Sequence, residues 1–416
     1  MTKNNFKKDY FWNTTGTLLQ NLISPLLLVV VTRLNGVDDS GIFSFAFSIA
    51  MVFWVFGMWG GRTYQVSDIR RKFSHHSYLV VRLMLAGVML VGSIVFALIN
   101  DYDLVKSGIL ITLVTLKAIE SIADTLYGVM QSNNSLYISG KSLMYKAVFG
   151  GAAFVLADVL TGSLLLGCIA ILVINILFLL AYDLPKTNRL ESVWFKVDQA
   201  PRYVNQAISI MKVCAPVFVV MFLAMFSLNI PRYFVDLYHQ NDIAYFGIIA
   251  MPITLIVLLM SFILQPNIVH LSKLYENKKY INFNKIVVKI VSLTTAIGLI
   301  TLLATATIGV PVLDIVFGIE FSQHHLDLVI IVAGGVINAI VSIFINVLIV
   351  MRRMRQQLGV LILTNIMLVL CSLLLIPQYG LSGGVGLFGI VNAIQLVFLV
   401  LIYNAALKGS RDAKKN

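Results

Sequence analysis

Twelve apolar runs follow one another along the chain, separated by short polar stretches. They lie at about 11–33, 41–60, 79–99, 105–131, 142–161, 163–183, 207–229, 243–264, 285–309, 326–351, 358–376 and 383–404. Each has the length a helix needs to cross about 30 Å of hydrocarbon, roughly 20 residues at 1.5 Å per residue. The pattern predicts an all-α polytopic membrane protein of about twelve transmembrane helices. The first run follows a basic start but is long enough to span, and no small-residue cleavage site closes it, so it is expected to stay in the mature chain.

The longest polar interruption, 185–206, reads PKTNRLESVWFKVDQAPRYVNQ and leaves six runs on either side. The expected organisation is an N-terminal lobe over 1–184, a cytoplasmic linker over 185–206, a C-terminal lobe over 207–404 and a cytoplasmic tail over 405–416. Weak internal repetition supports two halves. NTTGTLLQNLISP ends at Pro25 in the first run, and NQAISIMKVCAP ends at Pro216 in the seventh. A proline deep in a membrane helix removes a backbone hydrogen bond and permits a kink. Paired breaks in two halves point toward alternating access, although proline is common in membrane helices.

One run breaks the apolar pattern. Lys117, Glu120 and Asp124 sit inside the stretch 109–129, and at about 100° per residue their offsets of three and seven place them in one arc, facing the bundle interior. A charge at that depth costs roughly 2.5–3.5 kcal/mol on insertion scales, so it usually marks a substrate or ion path. A structural alternative is that Lys117 and Glu120 pair at i,i+3 and only hold helices together.

Composition agrees with the pattern: 59% of residues are hydrophobic and 12% charged, which excludes a soluble globular protein. Net charge is +12, and 24 of the 31 Lys and Arg residues fall on one side of the expected topology. That side holds Lys3, Lys7 and Lys8, Arg62 with 70–72, Lys141 and Lys146, the basic residues of 185–206, those of 273–285, those of 352–355 and the C-terminal tail. The positive-inside rule makes it cytoplasmic, with both termini there. Topology and anionic lipid thus account for the charge, which gives no support to nucleic-acid binding. Cys168, Cys214 and Cys371 lie singly in apolar runs, and the pairs His75–His76 and His324–His325 lack metal-ligand spacing. No nucleotide-binding motif or Ser/His/Asp constellation appears, and no external loop is long enough to host a catalytic domain. No cofactor and no enzymatic activity are expected.

Four segments resemble the Wzx-like polysaccharide flippases, a branch of the multidrug/oligosaccharidyl-lipid/polysaccharide exporter superfamily: TRLNGVDDSGIFSFAFSIA, LKAIESIADTLYGVMQ, VLDIVFGIEFSQHHLDLVII and LLIPQYGLSGGVG. In the last, Pro377 is expected to stop the eleventh helix and Gly380, Gly383, Gly384 and Gly386 to allow a tight turn and close packing. The resemblance implies two six-helix lobes around a central cavity, carrying undecaprenyl-diphosphate-linked oligosaccharide from the inner to the outer leaflet of the bacterial cytoplasmic membrane for surface polysaccharide biosynthesis. Glycan polymerases and glycosyltransferases are the implied protein partners, beside membrane lipids.

Such a substrate needs cations for its phosphates and hydrogen-bonding and aromatic groups for its sugars. Arg62, Arg82, Lys212 and Lys289 lie near the cytoplasmic ends of their spans, where they either meet a headgroup or snorkel to the interface. Arg33 and Arg232 oppose the charge bias of the outer side; they either receive phosphates there or pair with Asp38, Asp39 or Asp236. Lys117 is a further substrate-binding candidate. Glu120 and Asp124 are candidates for coupling to a proton or sodium gradient. Asn338, Asn346, Asn392 and Gln395 either line the second lobe or hydrogen-bond between helices. The alternatives are a cation-coupled multidrug exporter of the same superfamily, a membrane glycan polymerase or ligase, and a nontransporting scaffold for glycan assembly.

Overall fold

A computed structural model describes residues 3–67 and 72–415, and the chain is helical nearly throughout, with no strand among the described residues. Ten helical segments among them are long and apolar enough to cross a membrane. Two further spans complete the twelve. One is Leu104–Ser132, equally long but interrupted by Lys106, Lys117, Glu120 and Asp124. The other arises because the final helix, Met354–Lys415, is really two, broken at Gly380 with φ 52° and ψ −132°. The twelve-span all-α architecture is borne out. The break is one residue type away from expectation: the helix runs through Pro377 and turns at Gly380, whose backbone only glycine adopts readily.

The chain forms two compact units, Met1–Phe222 and Leu223–Asn416. The segment 185–206 is helical at both ends, with an irregular stretch over 191–196 between them. The sixth span continues through a π-turn, Leu179–Asp183, into a short helix, Leu184–Leu190, and the next long helix begins at Ala200.

The first unit contains α1 (Lys3–Asn35), α2 (Val37–Met58), α3 (His75–Ile99), α4 (Leu104–Ser132), α5 (Leu136–Thr161), α6 (Leu164–Phe178) and the first part of α7 (Ala200–Tyr238). Its centre is α4, which packs against α2, α3, α5 and α6. That position explains how four charged residues are tolerated: lipid touches little of this helix, and Lys117 is only 7% exposed. Asp103 starts α4 by accepting a hydrogen bond from the Lys106 backbone nitrogen (2.6 Å), an ordinary N-cap. On α4 and its neighbours Ala123, Leu126, Tyr127, Met130, Ile138, Leu179 and Val193 form one apolar core.

α1 packs along α5 so closely that a Cβ on Gly16 would run into the Gly140 carbonyl, and one on Gly140 into the Trp12 carbonyl. Burying apolar surface gives no drive for helix association in lipid, so such bare-backbone contacts supply dispersion contacts in its place. At the end of α2, Trp59 takes a left-handed cap (φ 38°). Its indole stacks on Phe218 of α7 (3.7 Å between centroids) and donates to the Met211 carbonyl (2.9 Å).

In the second unit the central helix is α10 (His325–Val350), which packs against α8 (Met251–Glu276), α9 (Tyr280–Ala304) and α11 (Met354–Lys415). It is the fourth span of its half, as α4 is of the other. Two buried polar contacts in this unit are made by amides: Asn338 donates to Asn392 (2.8 Å), and Asn365 to the Leu223 carbonyl (3.1 Å).

Candidate functional site

The charges of α4 divide between two neighbourhoods. Lys117 Nζ donates to Glu120 Oε2 (2.8 Å) and lies over the Phe47 ring (4.9 Å). The other carboxylate oxygen, Glu120 Oε1, accepts from Gln20 Nε2 of α1 (3.0 Å). One turn on, Asp124 faces different helices. Its Oδ1 accepts from Arg62 Nη1 (3.0 Å) and its Oδ2 from Arg82 Nη2 (3.4 Å).

Arg82 is 2% exposed, and its burial has a local cause. Its Nε donates to Thr125 Oγ1 (3.0 Å) and its Nη1 to the Gly57 carbonyl. Gly57 is in the last turn of α2, where carbonyls lack intrahelical partners and the helix end carries partial negative charge, so a cation there satisfies both needs. Arg62, in the short helix Gly61–Ser67, also holds Gln131 Oε1 through Nε (3.3 Å) and Nη2 (3.1 Å). About a quarter of its side chain is exposed, 26% against 3% for Arg82, so it is the member a ligand can reach. The charge balance separates the two neighbourhoods. Lys117 and Glu120 cancel; two guanidiniums against the single Asp124 carboxylate leave one positive charge in excess.

A third ionic group joins α4, α5 and the π-turn after α6. Lys146 Nζ meets Asp183 Oδ2 at 2.5 Å, with side chains 3% and 0% exposed. Tyr127 Oη accepts from the same ammonium (3.0 Å) and donates toward Asp183 (3.4 Å), and it shares a hydrogen bond with Ser142 (2.9 Å). A π-turn widens the helix by one residue and recurs at functional positions; here it carries the buried carboxylate. Lys146, Lys117, Glu120, Gln20 and Asn175 line one cavity of about 20 Å³, walled by Phe43, Phe47 and Phe154. That volume suits a single water, and the Asn175 and Gln20 side-chain oxygens, both buried and unpartnered, are the groups it would serve.

Of the residues singled out from the sequence, the structure brings together Arg62, Arg82 and Asp124 in one cluster and Lys117 with Glu120 in another. The arc expected for Lys117, Glu120 and Asp124 carries two separate contacts, about one turn apart along α4. Arg33 is exposed at the C-terminal end of α1, and Lys212 and Lys289 lie on exposed faces of their helices. Arg232 is half-buried with its guanidinium over the Phe246 ring (5.6 Å). Asn338 and Asn392 bond to each other, as helix-to-helix hydrogen bonding would have them. Lys146, counted with the cytoplasmic side in the expected topology, is buried within α5 and paired with Asp183. Arg70 and Arg71 lie outside the described residues, as do the side chains of Lys3, Lys7, Arg411, Lys414 and Lys415. Gln20, Tyr127, Gln131 and Asp183 were not singled out, and Lys146 was counted only toward topology; for Lys146 and Asp183 the signal was present, a charge within an apolar run. Among the described residues no group of three or more His, Cys, Asp or Glu converges as metal ligands would.

No family model matches the chain. It is 23% identical over 406 residues to the capsular polysaccharide biosynthesis protein CapF of Staphylococcus aureus, covering 95% of this chain and 98% of that one. Among solved structures it superposes on an inward-facing multidrug resistance MATE family transporter of the MOP superfamily with TM-score 0.73 at 11% identity, covering 94% of this chain and 96% of that one. The lipid II flippase MurJ, in an inward closed conformation, gives TM-score 0.69 at 12% identity over 96% of this chain and 90% of that one. The fold is that of the MOP superfamily transporters. The resemblance to polysaccharide flippases seen in the sequence has a counterpart in both comparisons, through CapF in sequence and MurJ in structure.

Proposed function

We propose that the chain is a transporter, not an enzyme, and flips undecaprenyl-diphosphate-linked oligosaccharide from the cytoplasmic to the outer leaflet by alternating access, for surface polysaccharide biosynthesis. The observation that carries this reading is the Arg62–Asp124–Arg82 cluster. It is a partly buried, preorganised site with one positive charge in excess and one reachable guanidinium, suited to a phosphate. The full-length similarity to a capsular polysaccharide biosynthesis protein supports the substrate class. In this reading the protein sits in the bacterial cytoplasmic membrane with both termini inside, as two lobes over 1–184 and 207–404. Arg33, Lys117, Lys212, Arg232 and Lys289 are secondary contacts for the headgroup along its path. Glu120 and Asp124 are where a proton or sodium ion would be exchanged, by releasing Lys117 and the two arginines in turn.

The similarity to MATE transporters fits drug export as well, but an excess of positive charge opposes a cationic drug. The test is mass spectrometry of lipid-linked glycans, with leaflet assignment, after depleting the protein while the glycosyltransferases remain intact. Completed oligosaccharide held on the cytoplasmic leaflet is the expected result. Single completed units reaching the outer leaflet unjoined would make the protein a polymerase, and unchanged glycans would leave drug export.

A further inference from the structure

Beside Arg62, on the other side of Gln131, the first unit has a second and larger hollow. It is about 350 Å³ and is lined by Asp9, Tyr10, Asn13, Val66, Gln131, Asn134 and Leu136. That volume is within the range of small-molecule sites. Its chemistry differs from that of the arginine cluster. No cation lines it among the described residues. Three carboxamides, each able to donate and accept, stand with one carboxylate, one phenol ring and two apolar side chains.

Each polar wall has a reason to be where it is. Asp9 is 5% exposed, and its Oδ1 accepts from the Tyr137 backbone nitrogen (2.8 Å), capping the first turn of α5 in place of Ser135, which makes no side-chain cap. Its Oδ2 is buried without a partner. Asn134 occupies the left-handed region (φ 53°) in the tight connection between α4 and α5, a conformation asparagine tolerates better than most residues. The amide of Gln131 is oriented by Arg62. A guanidinium only donates, so the oxygen must face it, and the NH2 group is left over for another acceptor.

An anion is a poor occupant for a hollow whose described lining holds a carboxylate and no cation. A hydroxyl-rich neutral ring is a good one, because vicinal hydroxyls need donors and acceptors side by side while the C–H faces need apolar or aromatic surface. We infer that this hollow, formed by Asp9, Tyr10, Asn13, Gln131 and Asn134, binds the sugar next to the diphosphate while Arg62 holds the phosphate, Gln131 linking the two. The inference rests on the transport reading above and adds a second subsite to it.

The test uses the full-length protein in detergent and native mass spectrometry. The probes are undecaprenyl diphosphate and the same lipid bearing N-acetylglucosamine, N-acetylgalactosamine, glucose or galactose. At least one sugar-bearing lipid should bind the unaltered protein more tightly than the bare lipid. Replacing Asn13→Ala together with Asn134→Gly, the glycine keeping the left-handed backbone unstrained, should cost that lipid roughly tenfold in affinity, two neutral hydrogen bonds at about 0.7 kcal/mol each. Binding of the bare lipid should not change. Arg62→Ala should weaken both lipids, and the unchanged bare-lipid affinity of the double variant serves as its folding control. If no sugar-bearing lipid outbinds the bare one, or if the double variant loses both equally, the sugar subsite is wrong while the phosphate reading stands. If the unaltered protein binds none of the lipids, the transport reading fails and takes the subsite with it.

Discussion

Removing one partner of the Lys146–Asp183 pair should unfold the first unit at markedly lower temperature, and removing both should restore much of the loss. In Asp183→Asn the Lys146 ammonium, 3% exposed, keeps only neutral acceptors, the Tyr127 hydroxyl and the new amide oxygen, and its charge is no longer balanced. In Lys146→Met the Asp183 carboxylate, with one oxygen already unpartnered, keeps only hydroxyl donors. Breaking a buried ion pair from one side typically costs about 3–5 kcal/mol, whereas replacing both members by neutral groups is often nearly neutral. For a unit of this size, 1 kcal/mol moves the midpoint by about 2–4 °C, so each single variant should melt roughly 6–20 °C lower. The double variant Lys146→Met/Asp183→Asn should recover at least about half of the summed loss, a coupling that additive sites do not show. The protein carries its own reporter. Cys168 and Cys214 are buried in the first unit, so with Cys371→Ala a thiol-reactive dye reads that unit alone. Single variants that melt with the parent, or a double variant whose loss equals the sum of the singles, would refute the reasoning.

Three other outcomes follow from the geometry. Arg62→Lys should not rescue transport lost in Arg62→Ala, because an ammonium cannot hold Gln131 through two nitrogens and Asp124 through a third; leaflet-resolved mass spectrometry of lipid-linked glycans checks this. Gly140→Leu should abolish folded protein, since its side chain would enter the Trp12 backbone, while Gly386→Ala, with open space around it, should purify as the parent does on size exclusion. Asn338→Leu should cost about 0.6 kcal/mol and at most about 1.7, the range for interhelical hydrogen bonds in membranes, measured by thermal unfolding. A loss several times larger would mean that Asn338 does more than join two helices.

Much of the architecture was legible because membrane insertion imposes a simple code: length and apolarity set the spans, and they came out at twelve. The central role of α4 was legible from Lys117, Glu120 and Asp124, since only an interior helix tolerates them. Their partners were not. Gln20 and Glu120 are 100 residues apart, Arg62 and Asp124 62 apart, and Lys146 and Asp183 37 apart, so each pairing depends on which helices become neighbours. Helical periodicity gives the direction of a side chain but not what stands opposite it, which is why one arc on α4 concealed two separate contacts. Lys146 was read as interfacial because basic residues near a span's end usually are, and Asp183 drew no reading because it lies at the edge of an apolar run. Two isolated charges of opposite sign, one on each of two consecutive spans, are the pattern that joins them. Gly380 was legible as part of a tight turn, but the stop was assigned to Pro377: proline forbids one hydrogen bond, yet it does not by itself force a reversal of backbone handedness.

α1 is held to α5 along several turns: the backbones of Trp12, Asn13 and Gly16 lie against Gly140, and Ile23 lies against Gly151. A contact that long resists tilt as well as translation, so α1 moves as a rod. Asn13 lines the hollow, and Gln20, about 10 Å further along the axis at 1.5 Å per residue, bonds to Glu120. A guest that displaces the Asn13 end would carry Gln20 with it, lengthening or shortening its bond to Glu120. Occupancy of the hollow and the state of the Lys117–Glu120 pair would then be two readings of one displacement.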